Sequence, residues 1–457
     1  MSNFTFLNHA SYMIETEKSI LLVDPWVEGY AFDKGWSLLD KSTTNEELLN
    51  HLSNIKKEKF IWLSHEHSDH FSVPFLMGLK KRGEQVTFLF QKTLDGRVAT
   101  FIRKIGFNVT ESNDLMEIID DELSVVTFPF QGGDSYCLTM WKDYSILNMN
   151  DCVVADDLTS NSVVHNYKKY TNKVDLLLTQ FGYANWLGNK DENQLRVSSS
   201  IKTLKRIKLQ VERFDPESVI PFASFVYFNH IENFHTNDCQ NSPKDVDSLF
   251  TKNKINSNLI VLKPWDELDL SLDLENQNKI LRASNIEHWG NLLSNIEPDV
   301  LEEIKYSIKE IDAEYKNYKN RLFKSFLLAP FFLEKIKFLQ PITFYVYDLD
   351  INVTLSYVKG FRTEQGNKLA SDISLSSATL VFVLKNEYGS NTTHVNGKFE
   401  RLSITGVNKF SRHFAPQEYM KMGYGLNHPF TTSFIVIGKL FHKWKDKKWR
   451  INPSWDY

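Results

Sequence analysis

The chain has 457 residues, of which 42% are hydrophobic and 24% charged, and its formal net charge is −4. This length exceeds what one hydrophobic core usually organises, so two domains are expected. The near-neutral charge gives no broad attraction to nucleic acid or to an anionic membrane, and no run approaches the ~20 apolar residues of a membrane helix.

Cysteine usage and the first residues bear on the compartment. Cys137, Cys152 and Cys239 are an odd number without the spacing of a disulfide framework. The opening residues "MSNFTFLNHASYMI" lack the basic start and continuous apolar stretch of a signal peptide. We therefore expect a cytoplasmic protein with no membrane span and no nucleic-acid partner. The sequence does not indicate its oligomeric state.

Residues 1–270 alternate short apolar strand patterns with amphipathic helical patterns. A helix is predicted at 197–214, where Ile201, Leu204, Ile207 and Val211 recur at helical spacing. This alternation predicts a layered α/β domain. The predicted strands are 19–24, 59–64, 86–90, 123–130, 144–149, 174–179 and 258–263.

The rest of the chain has a different pattern of polar and apolar residues. Residues 271–340 are predicted to form a helical connector. Within it, 273–323 is polar and helix-prone, with one long helix expected at 297–323. Residues 341–457 are predicted to form a C-terminal α+β accessory domain. Within it, 376–389 fits either a helix or a buried strand, and Asn396-Gly397 predicts a turn.

The strongest chemical signal is "HEHSDH" at 65–70, directly after the predicted strand 59–64. His65 and His67 are two positions apart, so on extended backbone they would share a face. Asp69 and His70 are adjacent and diverge, which suits a second metal ion beside the first. Imidazole nitrogen and carboxylate oxygen ligate zinc, iron and manganese, and open α/β sheets place their sites at strand ends. The motif therefore predicts a metal centre.

The same motif resembles the metal-binding motif of the metallo-β-lactamase superfamily, whose fold is a four-layer αββα sandwich. The segment "NHASYMIETEKSILLVDPWVEGYAF" (8–32) resembles the branch containing L-ascorbate-6-phosphate lactonases and N-acyl-phosphatidylethanolamine phospholipases D. Segments 133–152, 176–188 and 219–238 resemble, in order, the non-Rieske part of the CMP-N-acetylneuraminate hydroxylases, over roughly residues 5–265. The Rieske cysteine–histidine pairs are absent, so that family's iron–sulfur chemistry does not carry over.

The resemblance implies a dinuclear site assembled from separated stretches. His65 and His67 are implied as ligands of the first metal, and Asp69 and His70 as ligands of the second. Asp151, in "NMNDC", matches the bridging aspartate. His230, in "YFNH", matches the last ligand, with His235 as its competitor.

The third ligand of the first metal departs from the superfamily, which usually has a histidine before the bridging aspartate. No histidine lies between His70 and His165. Gln131 and Asp134 are the candidates, and we prefer Asp134 because an ionised carboxylate binds a dication better than a neutral amide does. His9 and Asp24 are expected to lie behind the ligands and orient them rather than bind metal.

Two divalent metal ions are therefore predicted, either zinc or the iron and manganese that oxygen-rich ligation favours. The first interpretation is a hydrolase in which metal-bound hydroxide attacks an ester, lactone, amide or phosphoester, with Asp69 orienting the nucleophile or taking a proton. The alternatives are a di-iron oxygenase that hydroxylates a small molecule or activated sugar, and a metal-stabilised binding module. The expected partner is a small-molecule substrate, with sugars and nucleotide sugars as candidates.

Overall fold

The computed structural model describes residues 3–426, and the contacts among them divide the chain into two compact units. The first unit comprises Met1–Ala184, Gln194–Phe228 and Asn237–Glu297. The second comprises Asn185–Asn193, Asn229–Thr236 and the chain from Pro298 onward. The boundaries predicted at residues 270 and 340 stay predictions, and the predicted accessory domain extends past the described residues.

Strands of the first unit run through its whole length. They are β1 (Asn3–Asn8), β2 (Ser11–Glu15), β3 (Ser19–Val23), β4 (Tyr30–Ala31), β5 (Trp36–Leu38), β6 (Glu58–Leu63), β7 (Thr87–Phe90), β8 (Asn108–Glu111), β9 (Met116–Ile118), β10 (Leu123–Pro129), β11 (Ser135–Trp141), β12 (Tyr144–Asn148), β13 (Leu176–Gln180), β14 (Ser218–Phe222), β15 (Val226–Phe228), β16 (Asn258–Leu259) and β17 (Glu267–Asp269).

These strands form two seven-stranded sheets and one small sheet in the described part of the unit. The first sheet has the order β17-β1-β2-β3-β6-β7-β8, and the second β16-β14-β13-β12-β11-β10-β9. Strands β3, β6, β7 and β8 are parallel, as are β12, β13, β14 and β16. The small sheet is β15-β5-β4.

Several helices of the first unit begin after a residue whose side chain accepts a hydrogen bond from an unpaired backbone N–H group. Thr44 accepts from the backbone of Glu47, and Ser72 from that of Phe75. The helices are α1 (Asn45–Asn54), α2 (Val73–Arg82), α3 (Arg97–Lys104), α4 (Asp157–Tyr167), α5 (Asn193–Phe214), α6 (Pro243–Asn253) and α7 (Leu274–Ser294).

The first sheet is buried on both faces. Phe6 and Tyr12 face the second sheet, because their rings lie 6.2 and 5.8 Å from that of Phe222 on β14. Leu7 and Met13, one position further along the chain, belong to a separate cluster with apolar residues of α1, α2 and α3. Since successive strand residues point to opposite faces, this sheet lies between the second sheet and those three helices.

Helices also cover the outer face of the second sheet. Thr179 on β13 donates a hydrogen bond to Gln210 on α5, and the Tyr136 hydroxyl on β11 accepts one from Asn166 on α4. The layers are therefore helix, sheet, sheet and helix. The predicted α/β fold class, a four-layer αββα sandwich, is confirmed.

The second unit has its own sheet and core. Its strands are β18 (Ile342–Val346), β19 (Ile351–Ser356), β20 (Gly360–Gln365), β21 (Ile373–Leu375) and β22 (Glu400–Arg401), in the order β20-β19-β18-β21-β22. Its helices are α8 (Ile308–Phe326), α9 (Ala329–Lys335), α10 (Ser377–Lys385), α11 (Gly389–Asn396) and α12 (Gly406–Lys421). Tyr315, Phe344 and Phe410 lie in one buried cluster. This mixture is the α+β composition predicted for the C-terminal part.

The predicted helix at 297–323 is shorter than its apolar pattern indicates. It begins only at Ile308, because Ser307 and Glu310 form a capping box that fixes the first turn there. Ile304, expected on the apolar face of that helix, precedes it and is 69% exposed.

Two further predictions concern the second unit. The segment 376–389, predicted as either helix or strand, contains α10, whose first turn is capped by Ser376. Asn396-Gly397 ends α11, with Gly397 in the left-handed conformation, instead of joining two strands. Among the described helices, none is long and apolar enough to span a membrane.

Candidate metal centre

The loop after β6 carries the four metal-ligand candidates of the "HEHSDH" motif. Strand β6 lies between β3 and β7, and its last three residues are buried. The chain leaves the sheet at Ser64, and the following His65 is 2% exposed, while His70 is fully buried. These histidines therefore project into the protein rather than into solvent.

We call His65, His67 and Asp134 the first donor group. His65 Nε2 lies 2.8 Å from His67 Nδ1 and 3.9 Å from Asp134 Oδ1. One ligand atom from each of the three residues falls within 4.8 Å of the others. Two imidazoles and a carboxylate thus converge where one cation can be held.

The turn after β10 brings Asp134 to this position. Gly132 and Gly133 have φ values of 79° and 98°, a region that residues with a Cβ rarely adopt. Gln131, the other candidate for the third ligand, is exposed at the start of this turn. The geometry therefore favours Asp134, and its role as a ligand stays a prediction.

We call Asp69, His70 and Asp151 the second donor group. His70 Nε2 lies 3.4 Å from Asp69 Oδ2 and 3.3 Å from Asp151 Oδ2. Asp151 follows β12, and the same Oδ2 lies 3.8 Å from His65 Nε2. This oxygen is therefore shared between the two donor groups, which is where a bridging carboxylate has to be.

These spacings suit ligand atoms around small cations. With metal–ligand distances of about 2.0–2.1 Å, two ligands at the tetrahedral angle lie about 3.3–3.4 Å apart, and two at a right angle about 2.9 Å. The pairs Asp69–His70 and His70–Asp151 match the first value. Among residues 3–426, the buried atoms His70 Nε2 and Asp69 Oδ1 have no hydrogen-bond partner. Buried polar atoms are normally paired, so the residues present fit a pair of metal ions.

Asp24, next to the end of β3, supports the second donor group from behind. Its Oδ2 accepts from His70 Nδ1 at 2.9 Å and from Ser64 Oγ at 2.6 Å, and also from the Asn150 amide. Its Oδ1 accepts from the backbone N–H of Ser64 at 2.8 Å. Because Nδ1 of His70 faces Asp24, Nε2 is the nitrogen available to a metal.

The charges of the second donor group attract a cation. Burial lowers the pKa of His70, but Asp69, Asp151 and Asp24 outweigh it and raise that pKa well above its ordinary value. Burial raises the pKa of Asp69, but His70 and His9 outweigh it, so that pKa lies well below its ordinary value. Asp69 is thus ionised, and the carboxylates favour a positive charge, a proton or a metal cation, at His70 Nε2.

Asp151 is held on its other side by a buried polar chain. Gln180 Nε2, at the end of β13, donates to Asp151 Oδ1 at 3.1 Å. The side-chain oxygen Oε1 of Gln180 accepts a hydrogen bond from Arg206 Nη2 of α5 at 2.9 Å. Since Arg206 is 8% exposed, this contact fixes the Gln180 amide so that its nitrogen faces Asp151.

His9, expected to lie behind the ligands, contacts Asp69 directly. It occupies the turn between β1 and β2, is 1% exposed, and places Nε2 3.3 Å from Asp69 Oδ2. Its backbone φ is 33°, and Asp24 and Asn150 also have positive φ, at 38° and 48°. Such strained conformations persist where the surroundings enforce them, which is common at functional sites.

His230 belongs to the second unit, where two carboxylates engage its ring. Nδ1 lies 3.3 Å from Glu232 Oε2, and Nε2 lies 3.3 Å from Glu303 Oε1. Lys398 Nζ contacts the same Glu303 oxygen at 2.6 Å. Burial raises the pKa of Glu303, but His230 and Lys398 lower it overall to about 2. His235, the competing candidate, has Nε2 3.4 Å from the carbonyl oxygen of Gly188.

Four residues that support the candidate ligands were not predicted from the sequence. Ser64 and Asn150 each directly precede a predicted ligand, and that adjacency was an available signal. Gln180 directly follows the predicted strand 174–179, but nothing in the sequence around it points to Asp151. Arg206 lies on a helix whose pattern shows only an apolar stripe, so its contact with Gln180 depends on the three-dimensional fold.

The chain is similar to known proteins both in sequence and in structure. No family model matches the chain. The chain is 25% identical over 293 residues to the cytidine monophosphate-N-acetylneuraminic acid hydroxylase of Danio rerio, covering 60% of this chain and 47% of that protein. It is 26% identical over 243 residues to the Xenopus laevis hydroxylase, and the match covers 50% of this chain and 38% of that protein. The chain thus spans about half, or less than half, of the length of these curated relatives.

Among solved structures, CmlA, a diiron beta-hydroxylase from Streptomyces venezuelae, is similar with a TM-score of 0.41 at 15% identity, covering 59% of this chain and 54% of that one. The αββα layers and the His/Asp clusters of the chain are the features that its resemblance to the metallo-β-lactamase superfamily implies. The particular relatives that it resembles in sequence are the CMP-N-acetylneuraminic acid hydroxylases.

Proposed function

We propose that this protein is a dinuclear metal-dependent hydrolase of the metallo-β-lactamase type. The observation that carries the proposal is the shared oxygen of Asp151, which lies 3.8 Å from His65 and 3.3 Å from His70. A carboxylate between two donor groups is the arrangement that holds two cations side by side. The ions proposed are zinc, or iron or manganese.

The residues have distinct roles in this proposal. His65, His67 and Asp134 would hold one ion, Asp69 and His70 would hold the other, and Asp151 would serve both. When bound, the metal pair would lower the pKa of a water ligand to about 7, so that hydroxide would be available at neutral pH.

Asp69 is the proposed catalytic residue. Its Oδ2 faces His70 and His9, whereas its buried Oδ1 has no hydrogen-bond partner in the described part of the chain. That lone pair can accept a hydrogen bond from the attacking water and take its proton, which is the work of a general base. The substrate class is an ester, lactone, amide or phosphoester of a small molecule.

Asp134 favours a second candidate function, that of a di-iron oxygenase. A carboxylate in the first donor group brings the aspartates to three, and oxygen-rich ligation shifts preference from zinc toward iron. The relatives are named as hydroxylases of a CMP-activated sugar, which adds activated sugars to the substrates to test. A metal-stabilised binding module is the remaining alternative, and it would bind metal without turnover.

One experiment separates these functions. Protein purified anaerobically is analysed for metal and tested on a panel of generic esters, lactones, phosphodiesters and CMP-activated sugars. Hydrolysis by the zinc form that is lost in D69A supports the hydrolase. Dioxygen-dependent product formation by a form with two irons supports the oxygenase. Two bound metals without turnover of any substrate support the binding module and contradict the proposal.

A further inference from the structure

His9 lies against the second donor group at a distance that differs from those of the hydrogen bonds around it. Asp24 makes hydrogen bonds of 2.6–2.9 Å to Ser64 and His70. The pairs assigned to metal ligation, His70–Asp69 and His70–Asp151, are separated by 3.4 and 3.3 Å. The distance from His9 Nε2 to Asp69 Oδ2 is 3.3 Å, which matches the distances in these ligand pairs and exceeds those of the hydrogen bonds.

The usual lengths of the two kinds of contact support reading His9 and Asp69 as a ligand pair rather than a hydrogen-bonded pair. An imidazole N–H that donates to an ionised carboxylate usually lies about 2.7–2.9 Å from it, because the bond is charge-assisted. Two ligands of one tetrahedral ion lie about 3.3–3.4 Å apart. His9, Asp69 and His70 each offer one ligand atom within 4.8 Å of the other two. The His9 ring thus points a nitrogen at the place where the second ion would lie.

His230, which the resemblance implies as the last ligand, has other partners. Both of its ring nitrogens lie 3.3 Å from carboxylate oxygens, those of Glu232 and Glu303. The ammonium group of Lys398, 2.6 Å from Glu303, supplies a positive charge to this cluster. His230, Glu232 and Glu303 also offer ligand atoms within 4.8 Å of one another, so spacing alone does not separate this cluster from that of His9. The difference is that the Lys398 ammonium already supplies a cation to the His230 cluster.

We infer that His9, and not His230, supplies the last imidazole ligand of the second metal ion. The inference rests on the proposed metal centre and deepens it. The second ion is then held by His9, Asp69, His70 and the shared Asp151. This set departs from the pattern that the resemblance implies, because its fourth ligand comes from the first turn of the chain instead of the loop after β15.

The test compares three variants by metal content, measured by mass spectrometry after dialysis against a chelator. The wild type is expected to retain two equivalents of zinc per chain. H9A and H9Q are expected to retain about one, and H230A two. H9Q is the informative variant, because a glutamine amide can still donate a hydrogen bond to Asp69 but cannot replace the imidazole. Two equivalents in H9Q, or one in H230A, would overturn the inference.

Circular dichroism establishes whether each variant is folded. If the His9 variants do not fold, a crystal structure of the wild-type zinc protein decides, with anomalous scattering locating the ions. A distance of about 2.1 Å from His9 Nε2 to zinc supports the inference, and one beyond 3 Å overturns it. A wild-type protein that binds no metal contradicts the proposed function as well, whereas two metals with an intact H9Q contradict this inference alone.

Discussion

Asp24 Oδ2 accepts a hydrogen bond from His70 Nδ1 over 2.9 Å, and both side chains are fully buried. The contact fixes which nitrogen of His70 faces the second donor group. We predict that D24N weakens metal binding by about 10- to 100-fold, because a neutral amide orients the imidazole less strongly. Metal affinity is measured by competition with a chromophoric chelator.

D175N is the matched control for D24N. Asp175 is another buried carboxylate of the first unit, and it accepts from the backbone N–H of Ser145 at 2.7 Å. Its variant is expected to lose stability while keeping wild-type metal affinity. Equal affinity in D24N and the wild type would show that Asp24 does not orient His70.

The choice of Asp134 over Gln131 predicts different metal contents for two alanine variants. D134A is expected to lose metal from the first donor group, because His65 and His67 lose their carboxylate partner. Q131A is expected to keep both ions, since Gln131 is exposed. Elemental analysis of both proteins decides, and metal loss in Q131A alone would refute the assignment.

Gln180 is predicted to act on the metal centre only through Asp151. We expect Q180L to weaken metal binding by about 10-fold or more, because Asp151 loses the donor that orients it. Q210L is the control: Gln210 lies on the same helix as Arg206 and bonds to Thr179, so its loss should lower stability alone. Titration with metal and urea denaturation measure the two effects separately, and equal metal affinities in the two variants would contradict the prediction.

A buried hydrogen bond joins the two sheets of the sandwich. Trp62 Nε1 on β6 donates to Thr127 Oγ1 on β10 at 2.9 Å. T127V is expected to lower the free energy of unfolding by about 1–3 kcal/mol, because the indole N–H is left buried without an acceptor. In the double variant W62F/T127V the loss should be smaller than the sum of the two single losses. Urea denaturation of all four proteins gives the coupling, and strict additivity would mean that the bond contributes nothing.

The low pKa of His413 predicts how the stability of the second unit depends on pH. Burial lowers its pKa to about 4, while Nδ1 donates to the Gln340 carbonyl at 3.0 Å. Between pH 6.5 and 4 the unfolded chain binds a proton that the folded chain does not, so stability falls as pH falls. The loss expected from His413 alone between pH 7 and 4.5 is about 2–3 kcal/mol, and His394, whose pKa burial also lowers to about 4, adds a loss of its own.

H413F keeps an aromatic ring against Tyr357, whose ring lies 4.6 Å from that of His413, but it cannot titrate. Its free energy of unfolding should therefore fall less between pH 7 and 4.5 than that of the wild type. H165Q, at an exposed histidine of α4, should leave the pH dependence unchanged. An H413F profile that matches the wild type would refute the prediction. The measurement is urea denaturation at each pH.

The sheet strands of the first unit were the most predictable part of the fold. Runs such as 19–24, 59–64 and 144–149 are buried on both sides in parallel regions, and such strands are near-continuous apolar runs in the sequence. The strand predicted at 258–263 is longer than the observed one, because only Asn258–Leu259 pairs in the sheet. An apolar run reports burial, and burial does not require strand pairing.

The metal centre was predictable where motif and fold agree on local geometry. His65, His67, Asp69 and His70 are close in sequence, and Asp151 lies shortly after strand β12 of the other sheet. The direct contact of His9 with Asp69 was not predictable, since it depends on a tight turn at φ 33° that places its ring against a loop 60 residues away. The partners of His230 likewise depend on how Glu303 folds back toward it.

The positive φ values at His9, Asp24 and Asn150 set a limit on how this protein can be improved. Glycine relieves such strain, so a screen for heat resistance would be expected to select it at these positions. Each gain would delete a side chain that lies at the candidate metal centre. A more heat-resistant protein obtained in this way would lack the proposed donor arrangement, so thermostabilisation has to begin elsewhere in the chain.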